Sequence, residues 1–201
     1  GAGAAVTAIA KLLLIYSTQP SCVLKNAGGL RRPEIVMVDS QGIIHRQRQR
    51  LSPAKAELAK LTNPHNLTGD LKKAVDGADI FIGVSQPGLL KPAMIKTMRS
   101  RPIVFAMANP LPEIMPAEAY KAGAAVVATG RSDLPNQVNN ALAFPGIFRG
   151  ALDNQVRQIT DQHKIAAAKA IASLVKKPTR QKIIPTIFDR RLAPAIAKQI
   201  K

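Results

Sequence analysis

Gly1-Ala-Gly-Ala-Ala-Val-Thr-Ala-Ile-Ala-Lys-Leu-Leu-Leu14 joins a glycine turn to an amphipathic helix, and the fold of the remaining chain turns on what this stretch does. Val6, Ile9, Ala10, Leu13 and Leu14 follow the i, i+3, i+4, i+7, i+8 spacing of one buried helix face, with no proline among them. The spacing predicts a helix from Ala4. In a dinucleotide-binding βαβ unit, Gly1 would make the tight turn off the first strand. Ala2 would follow, and Gly3 would let the backbone approach the pyrophosphate. The phosphates would rest on the N–H groups of Ala4, Ala5 and Val6 at the positive end of the helix. Val6 stands where that G-x-G-x-x-G pattern has its third glycine and should hold the helix farther from its sheet. The sequence opens in mid-motif, without the strand that leads into the turn. The glycines alone therefore fit a phosphate cradle or an ordinary helix entry, and the downstream context has to decide.

Ile35-Val-Met-Val-Asp39 is a short apolar run ending in an acid. That is the pattern of a buried parallel strand with its carboxylate at the sheet's C-terminal edge, where an acid accepts hydrogen bonds from a ribose. The usual spacing from the glycine turn is about 20 residues. Asp39 lies nearly twice as far along, and residues 17–33, with Pro20, Gly28, Gly29 and Pro33 as breakers, read as an inserted loop with a short helical piece. His45, Arg46, Arg48 and Arg50 follow at the place where an adenosine ribose would lie. Either this is a solvated basic loop, or an arginine there binds the 2′-phosphate of NADP despite Asp39. The balance leans slightly to NAD.

Ser52-Pro53 opens a helix over 53–61 in cap-then-proline order, and a short helix is expected over 70–75. Three apolar runs follow at helix-separated intervals: Asp79-Ile-Phe-Ile-Gly-Val-Ser85, Pro102-Ile-Val-Phe-Ala-Met-Ala-Asn109 and Ala124-Ala-Val-Val-Ala-Thr-Gly130. Each ends in a small or polar residue. This alternation predicts an α/β fold, a Rossmann-like doubly wound parallel sheet lacking its first strand, with the ligand across the C-terminal edge. Residues 133–150, rich in Asn and Gly, are expected to wind past the same edge. A long helix from 160 or 161 to 175 should face Ile165, Ala168, Ile171, Ala172 and Val175 inward, and 193–200 reads as a closing helix. The whole of 1–201 is one domain on this reading, with 17–33 inserted and 160–201 a C-terminal helical tail.

Composition narrows the function classes. A 46% hydrophobic content over 201 residues is ordinary for a globular domain. No run approaches the roughly 18 to 20 apolar residues of a membrane helix, and no leader with a cleavage site opens the chain, so a cytoplasmic protein without membrane contact is expected. Cys22 has no cysteine partner for a disulfide or metal site and reads as an inert thiol. The net charge of +17 invites a polyanion. However, the basic residues are scattered, aromatic content is 3% and no nucleic-acid-binding motif occurs, so specific nucleic-acid binding is not expected.

Four stretches together resemble the malic enzymes. They are Gly1-Ala-Gly-Ala-Ala5; Asn66-Leu-Thr-Gly-Asp-Leu71 leading into Ala78-Asp-Ile-Phe-Ile-Gly-Val-Ser85; Phe105-Ala-Met-Ala-Asn-Pro-Leu-Pro-Glu-Ile114; and Ala128-Thr-Gly-Arg-Ser-Asp-Leu-Pro-Asn-Gln-Val-Asn-Asn140, running on to Phe144-Pro-Gly146. Ile184-Pro-Thr-Ile-Phe-Asp-Arg-Arg-Leu-Ala-Pro194 is similar to the family's C-terminal segment. The likeness covers nearly everything except 17–33 and points to the smaller, bacterial type.

It implies an NAD- or NADP-dependent enzyme that oxidises malate and decarboxylates the product to pyruvate with Mg2+ or Mn2+, as a homo-oligomer when complete. In that family the tyrosine and lysine serving as acid and base, and the acidic metal ligands, precede the glycine turn. A chain holding only the cofactor half is therefore expected to be inactive alone, and unstable without its first strand. By the same resemblance Asn109 contacts substrate or nicotinamide, and Asn139 and Asn140 reach substrate and the nicotinamide ribose, Asn140 above all. Ser85 is either a plain strand-terminating serine or faces the adenosine or diphosphate. Two rival readings are another dinucleotide-dependent dehydrogenase, against which the Asn139-Asn140 loop and Phe-Pro-Gly speak, and a non-catalytic basic binding module, supported by net charge alone.

Overall fold

The computed structural model describes residues 3–18, 24–26, 29–31 and 33–201, with 24–26 and 29–31 described by their backbone. The chain divides into two compact units, 1–78 with 97–99, and 79–96 with 100–201.

In the first unit, helix α1 (Ala4–Ser17) starts from Gly3, whose backbone is extended, and closes at Thr18, whose N–H and hydroxyl both return to the Ile15 carbonyl. Val6, Ala10 and Leu14 pack with Ile35, Met37, Ile44, Leu51, Leu58 and Ala59 into one apolar cluster. The inward stripe is narrower than the sequence pattern suggests, because Leu13 is 37% exposed. Within the expected 17–33 loop, β1 (Leu24–Asn26) and β2 (Gly29–Arg31) pair antiparallel where a helical piece was expected. Pro20, Cys22 and Gly28 lie outside the described residues.

The expected parallel strand over 35–39 is not formed. Val38–Asp39 (β3) instead pairs antiparallel with Gly42–Ile43 (β4) across a tight turn at Ser40 and Gln41. Gly42, at φ +107°, takes a conformation few other residues adopt, and a Cβ there would lie 2.5 Å from the Gly69 carbonyl oxygen. Of the apolar run, Met37 is buried and Ile35 half-buried in the cluster formed with α1 and with α2 (Pro53–Leu61), which begins at the expected Ser52-Pro53. Helix α3 (Leu71–Val75) is capped by Asp70, which accepts the Lys73 N–H.

The second unit carries the predicted parallel sheet. Strands β5 (Ile80–Gly83), β6 (Ile103–Ala106) and β7 (Val126–Thr129) lie in the order β5-β6-β7, with Ile80 opposite Ile103 and Ile103 opposite Val126. Helices α4 (Pro92–Thr97) and α5 (Pro116–Lys121) fall in the two crossovers. Val104 on the central strand is fully buried, whereas Ile80 on β5 is 51% exposed, as on an edge. The fold is Rossmann-like α/β.

Residues 133–150 do not simply wind past the edge. A short 3-10 turn (Asn140–Leu142) leads into α6 (Phe144–Asp153), with Pro145 in its first turn. Gly146 and Gly150 face α8 (Leu192–Ala197) so closely that a Cβ on Gly146 would meet Ile196 Cβ at 2.5 Å, and one on Gly150 the Ala197 oxygen at 2.6 Å. Glycine, a loop signal in sequence, here sets how near two helices come. Helix α7 (Asp161–Ser173) is shorter than expected and turned: Ile165, Ala167 and Ala170 are buried, while Ala168 and Ala172 are exposed.

Candidate cofactor site

Gly1 and Ala2 lie outside the described residues. From Gly3 onward the first unit offers an open helix N-terminus. Thr7 is the first residue of α1 to bond back, to the Gly3 carbonyl at 3.1 Å, so the N–H groups of Ala4, Ala5 and Val6 have no acceptor within the helix. The first turn holds no acid, and a Cβ built on Gly3 meets nothing within 4 Å. Val6, at the third-glycine position, is half-buried against the apolar cluster. Positive dipole, donors without an acceptor in the helix, and open space coincide there.

Asp39 is differently placed from the sequence expectation. Its side chain is 4% exposed and already bonded, to Arg48 Nη2 at 2.8 Å, Lys55 Nζ at 2.6 Å and the Gln41 N–H at 2.9 Å. Burial acts to raise its pKa. The hydrogen bonds from Lys55, Gln41 and Arg48, with the Arg48 charge, outweigh it and hold the carboxyl down to about 2. Arg48 also donates to the carbonyls of Gly42 and Ile43, so it is committed to its own hairpin. Arg46, Arg48, Leu51, Ala56, Ala59 and Lys60 line a cleft of about 460 Å3 beside this cluster.

In the second unit, Ser85 and Asn109 stand just past the ends of β5 and β6, and Asn139 and Asn140 at the 3-10 turn beyond β7. Ser85 follows β5, half-buried, and donates its N–H to Glu113 Oε1 at 2.8 Å. Asn109 is exposed after β6, on a bend through a cis Asn109–Pro110 peptide. Asn139 caps the 3-10 turn, its side chain accepting the Ala141 N–H at 2.8 Å. Asn140, the first residue of that turn, is exposed.

The sequence matches the family profile of the malic enzyme NAD binding domain over residues 1–200. The chain belongs to the malic enzyme family. It is 51% identical over 203 residues to a bifunctional malic/malolactic enzyme of Bacillus subtilis, covering 100% of this chain and 46% of the relative. It is 40% identical over 217 residues to an NADP-dependent malic enzyme of Halomonas elongata, covering 100% of this chain and 48% of the relative. The crystal structure of an NAD-dependent malic enzyme from Thermotoga maritima matches with a TM-score of 0.79 at 46% identity, over 84% of this chain and 45% of that one. The chain thus spans a little under half the length of these three malic enzymes.

The N-terminus of α1 has the chemistry that would suit a dinucleotide's diphosphate: backbone donors, no acid in the first turn and open space at Gly3. Among the described residues no group of three His, Cys, Asp or Glu side chains could hold a metal ion, and no helix is long and apolar enough to cross a membrane. Two features escaped the sequence reading. Lys55 reaches Asp39 from 16 residues away, with only its place in the first turn of α2 as a signal. Glu113 is fully buried, and an acid set in Leu-Pro-Glu-Ile-Met was the available hint.

Proposed function

We propose that this chain holds the dinucleotide of an enzyme that oxidatively decarboxylates (S)-malate to pyruvate and carbon dioxide. The observation carrying the proposal is the open, acid-free N-terminus of α1 in a malic enzyme NAD-binding domain. Gly1, Ala2, Gly3, Ala4, Ala5 and Val6 would take the pyrophosphate through backbone N–H groups. Asp39 would accept from the adenosine ribose while remaining paired to Arg48 and Lys55. Ser85 would face the adenosine or diphosphate, and Asn109 and Asn140 the nicotinamide end. Asn109, Asn139 and Asn140 would meet the substrate as amide donors to its carboxylates. Bound NAD(P) supplies the hydride acceptor; these residues bind and orient. The acid, base and Mg2+ or Mn2+ ligands would come from outside these 201 residues, in a cytoplasmic homo-oligomer.

Cofactor choice is balanced. Asp39 disfavours a 2′-phosphate, but its charge is met by two cations, and Arg46 and Lys60 stand nearby. We infer a slight preference for NAD. Calorimetric titration of both cofactors into the folded chain, followed by an assay of malate-dependent NAD(P)H formation, tests the proposal. The expected result is NAD binding at least as tight as NADP binding, without malate turnover. Failure of the folded chain to bind either dinucleotide would overturn it, and NADP binding about tenfold tighter would reverse the cofactor preference.

A further inference from the structure

Glu113 is 0% exposed, and both of its carboxyl oxygens are used. Oε1 accepts the N–H of Ser85 at 2.8 Å, and Oε2 the N–H of Ala108 at 3.0 Å. One donor follows β5, and the other immediately precedes Asn109 after β6. The backbone repeats the link: the Glu113 carbonyl accepts Leu90 N–H at 3.1 Å, and the Pro112 carbonyl accepts Gly88 N–H at 3.1 Å. Gly83, at the end of β5, leaves the carboxyl its room, since a Cβ there would lie 2.5 Å from both Cδ and Oε1 of Glu113.

Burying a carboxyl group is costly unless its hydrogen bonds are made, and an apolar residue of similar size would fill the same space without that cost. What an apolar residue cannot do is accept two backbone donors from two different strand ends. We propose that Glu113 is a positioning residue of the cofactor site, fixing with one carboxyl group the spacing between the backbone at Ser85 and the backbone at Asn109. This rests on the assignment of those two residues to the dinucleotide and substrate. Glu113→Gln is the informative change, because it preserves shape while replacing one acceptor oxygen by an NH2 that faces a backbone N–H.

The test uses the full 201-residue chain, with NAD as the probe. NAD affinity is measured by calorimetry, folding by thermal unfolding, and the Asn109 side-chain amide by its NMR resonance during titration. For Glu113→Gln we expect at least about a tenfold loss of affinity in a chain still folded at the titration temperature, with a displaced Asn109 resonance. If Glu113→Gln does not fold, Glu113→Asp, which keeps two acceptors but draws them back by one methylene, should show a few-fold loss. Unchanged NAD affinity in whichever folded variant is measured overturns the positioning role and leaves the cofactor site intact. Absence of NAD binding by the folded unsubstituted chain overturns the site assignment itself, and the positioning role with it.

Discussion

Ile35-Val-Met-Val-Asp39 and Pro102-Ile-Val-Phe-Ala-Met-Ala-Asn109 carry the same signal, an apolar run closed by a polar residue, yet they become different structures. The second gives a four-residue strand with parallel neighbours on both sides, its Val104 fully buried. The first gives a two-residue antiparallel ladder, its Val38 half-buried. Periodicity reports that a segment will be buried and is silent about its partner. Partner choice at 35–43 is made by the turn, where Gly42 at φ +107° closes the chain back on itself.

The comparison breaks first at its centres. Val104→Asp places an unpaired charge in the middle strand and should cost at least about 4 kcal/mol. Val38→Asp, half-buried in the hairpin, should cost about 1 kcal/mol. Urea denaturation of the two variants measures the difference, and equal costs would deny it. Turn control is sharpened by Gly42→Ala, which meets the Gly69 carbonyl and a strained φ, and should cost about 1 to 3 kcal/mol. Gly146→Ala is expected to cost a similar amount by forcing α6 from α8, although alanine favours a helix by about 1 kcal/mol. A stabilised Gly146→Ala would mean that the close approach does not matter.

The smallest effect is electrostatic. Asp39 titrates at about 2 against an ordinary 3.8, so its contribution is fully present above pH 3.8 and is lost as the pH falls through about 2. The contribution is on the order of 1 kcal/mol once solvent screening is allowed for. Arg48→Gln should flatten this limb of the stability profile and leave the neutral region's slope unchanged.

Much of this molecule was legible because its signals are local. Ser52-Pro53 opens α2, a short helix ends at Val75, and three apolar runs separated by helix-length spacers form the sheet. What stayed hidden depends on distant partners. Gly146 and Gly150 spoke for a loop, and only α8, some 50 residues on, turns them into a helix contact. Asp39 was read as the end of a parallel strand that does not form, and nothing local marked Lys55 and Arg48 as the partners that set its charge and pKa. Glu113 lay within a quoted motif, and its importance follows from two N–H groups that no spacing rule brings together.

The central claim, that the N-terminus of α1 receives the dinucleotide's phosphates, is tested most directly by Gly3→Asp. Gly3 has an ordinary extended backbone and open space around it, so the fold should accept the change. An aspartate cap should leave α1 as stable or raise it by a few tenths of a kcal/mol. The same carboxylate would stand where a diphosphate must sit. Calorimetric titration of NAD into the parent and Gly3→Asp chains, with thermal unfolding measured on both, should give an unchanged or higher midpoint and at least about a tenfold loss of affinity. Equal affinity for NAD in the two folded chains would contradict the account.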